Sequence, residues 1–245
     1  MTSGTIHISM WSGPRNISTA MMRSFENRPD TEVVDEPFYA RWLTSSGIHH
    51  PYRDETLSAY PTGFDDVVSW VNAPASPPAT IRFHKHIAFH IDNNTPLDWL
   101  SAHRGFALIR DPASMAASYA RKFEDLTPIV ESYRIVRRVA HHYAHENRAF
   151  PIVSSEDILA DPENILTKLC EALGIPFLPQ MLNWPAGPRK SDGPWGPHWY
   201  DAVNKSTGFT APTDDAPRAK MPAHAAAAAK ACQQDYDFLR AQRLR

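Results

Sequence analysis

Residues 5–25 read as a strand that runs without a spacer into a turn-rich loop and then a helix. That unit restricts the chain more than any other stretch. TIHISMW (5–11) alternates apolar and small polar residues, as a half-buried strand does. SGPRN (12–16) interrupts it, and ISTAMMRSF (17–25) follows at helical spacing, with Asn16 as the expected N-cap. A strand feeding a helix directly is the opening of a parallel α/β layer. The junction also collects outward-pointing amides and the positive end of a helix, which together make an anion site. Arg15 adds charge there, and Ser18 and Thr19 add hydroxyl donors in the first turn. The glycine-rich, lysine-bearing phosphate loop of ATP and GTP enzymes is absent, which weighs against that chemistry.

The same alternation continues along the chain. Strands are expected over 31–35 (TEVVD), 80–86 (TIRFHKH), 105–109 (GFALI) and 150–154 (FPIVS). Helices are expected over 64–72, 112–122, 129–147, 162–173 and 222–244, and a polar loop over 49–63. Asp111 and Pro112 supply an N-cap and a first-turn proline. Glu36-Pro37 stops the second strand, because proline removes a donor and forces its neighbour into extended geometry. The expected fold is a single α/β domain over 1–245, three-layered and P-loop-like around a central parallel sheet. Residues 177–222 are rich in proline, glycine and tryptophan without a period, too long for an idle loop, and are expected to cover the site.

The formal net charge of -2 argues against a broad nucleic-acid or anionic-membrane surface, so an anion site must be local. No apolar run approaches the roughly 18 residues a membrane span needs, and the N-terminus lacks the charged-then-apolar order of a leader. A cytoplasmic protein without a membrane partner is the resulting expectation. Cys170 and Cys232 are too few and too far apart for a disulfide framework or a zinc site. His84, His86 and His90 lack the carboxylate or cysteine spacing that would support zinc, and no metal is expected. His141, His142 and His145 fall on a long amphipathic helix and are read as structural.

Pro14-Arg15-Asn16-Ile17-Ser18-Thr19 resembles the 5′-phosphosulfate loop of the sulfotransferases, which runs proline, basic residue, serine, glycine, threonine, threonine. Pro14, Arg15, Ser18 and Thr19 match, Asn16 replaces serine, and Ile17 replaces glycine. Arg110-Asp111-Pro112, with Ser118 six residues on from that proline, resembles the family's 3′-phosphate signature at the right spacing. A guanidinium beside a hydroxyl suits a phosphate. Arg189, Lys190, Gly193 and Trp195 resemble the basic, glycine- and tryptophan-bearing segment that folds over the same phosphate in that family. The motifs S-G-P-R-N-x-S, D-E-P-F and K-H-x-x-x-H point to its bacterial sulfotransferase-like branch.

The resemblance implies 3′-phosphoadenosine 5′-phosphosulfate (PAPS) as co-substrate, a small-molecule hydroxyl or amine as acceptor, and no metal. It implies that Arg15 stabilises the leaving phosphate. It offers two bases. Glu36 corresponds to the glutamate of carbohydrate and trehalose sulfotransferases, and His86 to the histidine of the cytosolic enzymes, where Lys85 falls one residue late. Glu36 is the preferred assignment, because it ends a strand on the edge that carries the phosphosulfate loop. Two other readings stay open: a P-loop nucleotide-binding protein such as a small-molecule kinase, and a non-catalytic member that keeps the nucleotide loops. The acceptor pocket is expected along 38–78 and 120–135.

Overall fold

In a computed structural model, residues 4–210 and 221–245 are described. Five strands form one sheet: β1 (Ile6–Ser12), β2 (Thr31–Asp35), β3 (Ile81–Ile87), β4 (His103–Ile109) and β5 (Ile152–Ser154). Their order is β2-β3-β1-β4-β5 and every pairing is parallel. The helices are α1 (Ser18–Glu26), α2 (Tyr39–Ser46), α3 (Arg53–Ala59), α4 (Phe64–Val71), α5 (Pro112–Tyr119), α6 (Thr127–His145), α7 (Ser155–Ala160), α8 (Pro162–Ala172), α9 (Gly196–Trp199), α10 (Asp201–Asn204) and α11 (Ala223–Ala241).

Alternation along β1 sorts the two faces of the sheet. Ile8 and Met10 pack with Met21, Met22 and Phe25 of α1 and Leu166 and Leu169 of α8. Trp11 points the other way, into a core shared with Met115 of α5, Ile135 and Val139 of α6, and Cys232 and Leu239 of α11. Helix–sheet–helix is the expected three-layer plan. A third, smaller cluster joins Tyr39 and Leu43 of α2 to Trp195 and Tyr200. Both cysteines are free and buried.

The expected strands and six of the helices are present with ends shifted by a few residues. Two local expectations are corrected. The polar stretch 49–63 is not all loop, since it contains α3, of which Thr56 is the buried residue. Asn16 does not cap α1; Ile17 holds the cap position without a side-chain bond. Asn16 is instead buried, donating Nδ2–H to the Leu108 carbonyl at 2.6 Å and accepting from the Ser155 hydroxyl. It ties the loop to β4 and α7. Asp111 does cap α5, accepting from the Ser114 amide at 2.8 Å, with Pro112 in the first turn. Of the expected covering segment, residues 211–220 lie outside the described residues. No described helix is long and apolar enough to cross a membrane.

Candidate active site

In a parallel sheet, the loops that leave the carboxyl ends of the strands meet at one edge, and ligands bind there. That edge borders a cavity of about 430 Å³. The loop after β1 supplies Pro14, Arg15, Asn16, Ile17, Ser18 and Thr19; β2 leads to Glu36, β3 ends in Lys85 and Ile87, and β4 leads to Arg110. Ser118 of α5 and Tyr200, Ser206 and Phe209 of the covering segment complete the wall.

One part of the wall is basic. Arg15 has φ 57, so the chain turns left-handed at this residue, while Ile17 has φ -37 and needs no glycine. Arg15 Nε–H donates to Ser118 Oγ at 3.2 Å, and Arg110 Nη1–H donates to the Arg15 carbonyl at 2.6 Å. The two sequence motifs are therefore one structure, with the loop after β1 clamped to β4 and α5. Burial, and then the like charges of Arg110 and Arg121, lower the Arg15 pKa. Crowded guanidinium groups beside a helix N-terminus are an arrangement that a bound polyanion would relieve.

A second part of the wall is built around Glu36. This residue has φ 43, outside the usual space for a non-glycine residue, at the abrupt end of β2. Register explains its neighbours: Asp35 lies beside Lys85 across β2 and β3, and the Glu36 amide donates to the Lys85 carbonyl at 2.9 Å. Lys85 Nζ donates to Asp35 Oδ1 and to Glu36 Oε1, each at 2.7 Å, and to the Tyr200 hydroxyl at 2.5 Å. The Tyr200 hydroxyl donates to Asp35 Oδ2 at 2.7 Å and accepts from Trp195 Nε1–H at 3.0 Å. His90 Nδ1 lies 3.9 Å from Glu36 Oε2.

Two carboxylates share one ammonium here, away from water. Burial raises the Glu36 pKa, Lys85 pulls it down, and Asp35 pushes it up again; the result lies above the ordinary 4.5. Burial works against the charge of Lys85, but Asp35 and Glu36 prevail and hold its pKa above 10.5. Burial keeps His90 neutral, its pKa well below 6.5. An uncharged imidazole and a partly desolvated carboxylate thus face the same space.

His86 does not reach the cavity. It follows Lys85 on β3 and so points to the opposite face. There it stacks on Trp11 at 4.4 Å between ring centres, lies near Phe38 and Trp99, and has Ser9 Oγ 3.3 Å from Nε2. Burial lowers its pKa well below 6.5. His84 shares that face, His90 lines the cavity instead, and among the described residues no cluster of three or more His, Cys, Asp or Glu could hold a metal.

The four residues expected from the covering segment also lie outside the cavity wall. Arg189 faces Glu26 at 3.6 Å and donates to the Pro185 carbonyl at 2.6 Å, and Lys190 is exposed. The Gly193 amide donates to Asp35 Oδ2 at 3.1 Å, and Trp195 is buried against Tyr200. Gly193 and Trp195 therefore support the carboxylate cluster from behind. Tyr39, His50 and Phe123 line the cavity from the expected acceptor segments, whereas Phe38 belongs to the core and Tyr52 is exposed. Sequence reasoning met Asp35 only as part of the D-E-P-F motif, and did not single out Tyr200 or the pairing of Lys85 with the two carboxylates. Only the β2–β3 register and the return of a distant segment bring these groups together.

An all-parallel α/β sheet whose strand-end edge carries a basic loop and a buried carboxylate is a P-loop-like domain. The family model "Sulfotransferase domain" matches residues 6–233, and the chain belongs to that family. A solved structure, "Sulfotransferase Domain from the Curacin Biosynthetic Pathway", has the same fold, with a TM-score of 0.50 at 14% identity over 93% of this chain and 96% of its own. Two curated proteins of Arabidopsis thaliana are similar in sequence. "Branched-chain-amino-acid aminotransferase-like protein 1" is 37% identical over 84% of this chain, and "Branched-chain-amino-acid aminotransferase-like protein 2" is also 37% identical over 84%. The chain spans 37% and 36% of their respective lengths.

Proposed function

We propose that this protein transfers the sulfuryl group of PAPS to a hydroxyl or amine of a small-molecule acceptor, with Glu36 as general base. The observation that carries the reading is the pairing, in one cavity, of the Arg15–Arg110–Ser118 cluster with the Glu36 carboxylate. The nucleotide takes its 5′-phosphosulfate to residues 14–19 and its 3′-phosphate to Arg110 and Ser118. The acceptor oxygen or nitrogen attacks sulfur in line, its proton passes to Glu36, and the sulfur–oxygen bond to the 5′-phosphate breaks. Arg15 and the amides at the start of α1 offset the charge that grows on the leaving phosphate. The raised pKa of Glu36 brings a carboxylate closer to the range useful for a base. His86, buried on the other face, takes no part.

The test is release of adenosine 3′,5′-bisphosphate from PAPS against a panel of phenols, alcohols and amines. Glu36→Gln is expected to abolish transfer while binding of adenosine 3′,5′-bisphosphate persists, and His86→Asn is expected to keep most of the turnover. Transfer that survives Glu36→Gln and disappears in His86→Asn moves the base to the histidine. A preference for magnesium-bound ATP over adenosine 3′,5′-bisphosphate overturns the whole reading in favour of phosphoryl chemistry.

A further inference from the structure

The Glu36 carboxylate is the reacting end of a longer buried chain of hydrogen bonds. That chain starts in the covering segment. Trp195 Nε1–H donates to the Tyr200 hydroxyl, which donates to Asp35 Oδ2; the Gly193 amide reaches the same carboxylate oxygen. Lys85 then bridges Asp35, Glu36 and Tyr200 with its three N–H donors. An ammonium has three donors and no more, so all of them are committed. The Tyr200 hydroxyl is also saturated: it donates once and accepts from Lys85 and Trp195. Its Glu36 contact at 3.5 Å is longer than the others. Asp35, Lys85 and Tyr200 are all buried, whereas the Glu36 side chain is 12% exposed at the cavity.

We propose that Tyr200 is a positioning residue for Glu36: its hydroxyl, anchored by Trp195, fixes how the Lys85 ammonium is shared between Asp35 and Glu36. The assignment rests on Glu36 being the group that faces the reaction. A hydrogen bond from Tyr200 satisfies part of the Asp35 charge, which keeps Lys85 shared evenly, 2.7 Å from a carboxylate oxygen of Asp35 and 2.7 Å from one of Glu36. Without that hydroxyl, Asp35 draws the ammonium to itself and Glu36 loses its cation. Because Gly193, Trp195 and Tyr200 lie within eight residues of one another, seating of that segment and setting of the Glu36 charge are one event.

The Glu36 side-chain carboxyl is titrated by carbon-13 NMR on glutamate-labelled protein, with Glu36→Gln assigning its signal. This readout needs neither acceptor nor PAPS, so a failed sulfuryl-transfer assay leaves it interpretable. The groups facing Glu36 are Asp35 from β2, Lys85 from β3, His90 and Tyr39 from the cavity wall, and Tyr60 and Tyr200 from the surrounding segments. Tyr200→Phe deletes one oxygen and is expected to raise the Glu36 pKa by about one pH unit, the worth of a lost charge-assisted bond. A merely structural tyrosine, once loosened, would admit water and let the pKa fall toward 4.5, which overturns the proposal, as does no change. Asp35→Asn moves the value the other way. With no competitor for Lys85, Glu36 is expected to titrate lower than in the parent protein, and an unchanged or higher value also overturns the proposal. That second variant decides the matter if Tyr200→Phe fails to fold.

Discussion

Arg110 and Ser118 carry the sharpest consequence for single residues. If they receive a 3′-phosphate, adenosine 3′,5′-bisphosphate binds at least about tenfold tighter than AMP, since a charge-assisted bond contributes about 1.5–3 kcal/mol. Arg110→Ala is expected to remove most of that advantage and leave AMP affinity unchanged, as calorimetry with the two nucleotides reads directly. An equal loss for both would mean that Arg110 acts through its bond to the Arg15 carbonyl, by holding the loop rather than the ligand. At this scale the sequence exposes some groups and hides others. Arg15, Ser118, Glu36 and Arg110 stand in short local patterns, and all four line the cavity. Tyr200 has no local signal: its meaning comes from Asp35, which is 165 positions away in the chain. His86 is misleading for the opposite reason, because its motif is local but strand alternation turns its ring away from the edge.

The elements that were easy to read are those with at least one dry face. β3 is buried along its whole length and β4 along most of it, so composition alone marks them. α3 was missed because it is polar almost all round, and helical period is invisible without an apolar stripe. The short helices α9 and α10 have four residues each, too few to show a period. They matter because the segment holding them presents Trp195 and Tyr200 to the carboxylates. Gly193 is the tight point of that segment, since a side chain there would collide with the Trp195 ring. Gly193→Ala is therefore expected to cost about 1–3 kcal/mol, the usual penalty of overpacking, as measured by urea unfolding. Tryptophan fluorescence should shift with it as the indole is displaced. An unchanged midpoint would show that the ring has room to move.

Over the whole molecule, the face of the sheet turned toward α6 holds four histidines, His7, His84, His86 and His103, with neighbouring rings 4.9–6.0 Å apart. Burial lowers the pKa of each, that of His103 to about 3, and His84 is fully buried with neither ring nitrogen bonded. The unfolded chain takes up protons near pH 6.5 while the folded chain does not. Stability is then complete above about pH 6.5 and falls as pH drops toward 3, by about 1.4 kcal/mol per pH unit for each histidine still neutral in the fold. Urea midpoints measured from pH 7.5 to 4.5 should fall steeply, and His84→Gln should flatten the slope; a flat profile in the parent would refute the account. The strand order carries one more consequence. Glu36 leaves β2 and Arg110 leaves β4, and the order β2-β3-β1-β4 sets them three strand spacings apart. At about 4.8 Å per spacing that is roughly 14 Å. The sheet is thus a ruler: a donor held at Arg110 and an acceptor held at Glu36 must together bridge that gap, and resetting the length would take a strand inserted or removed rather than a side chain exchanged.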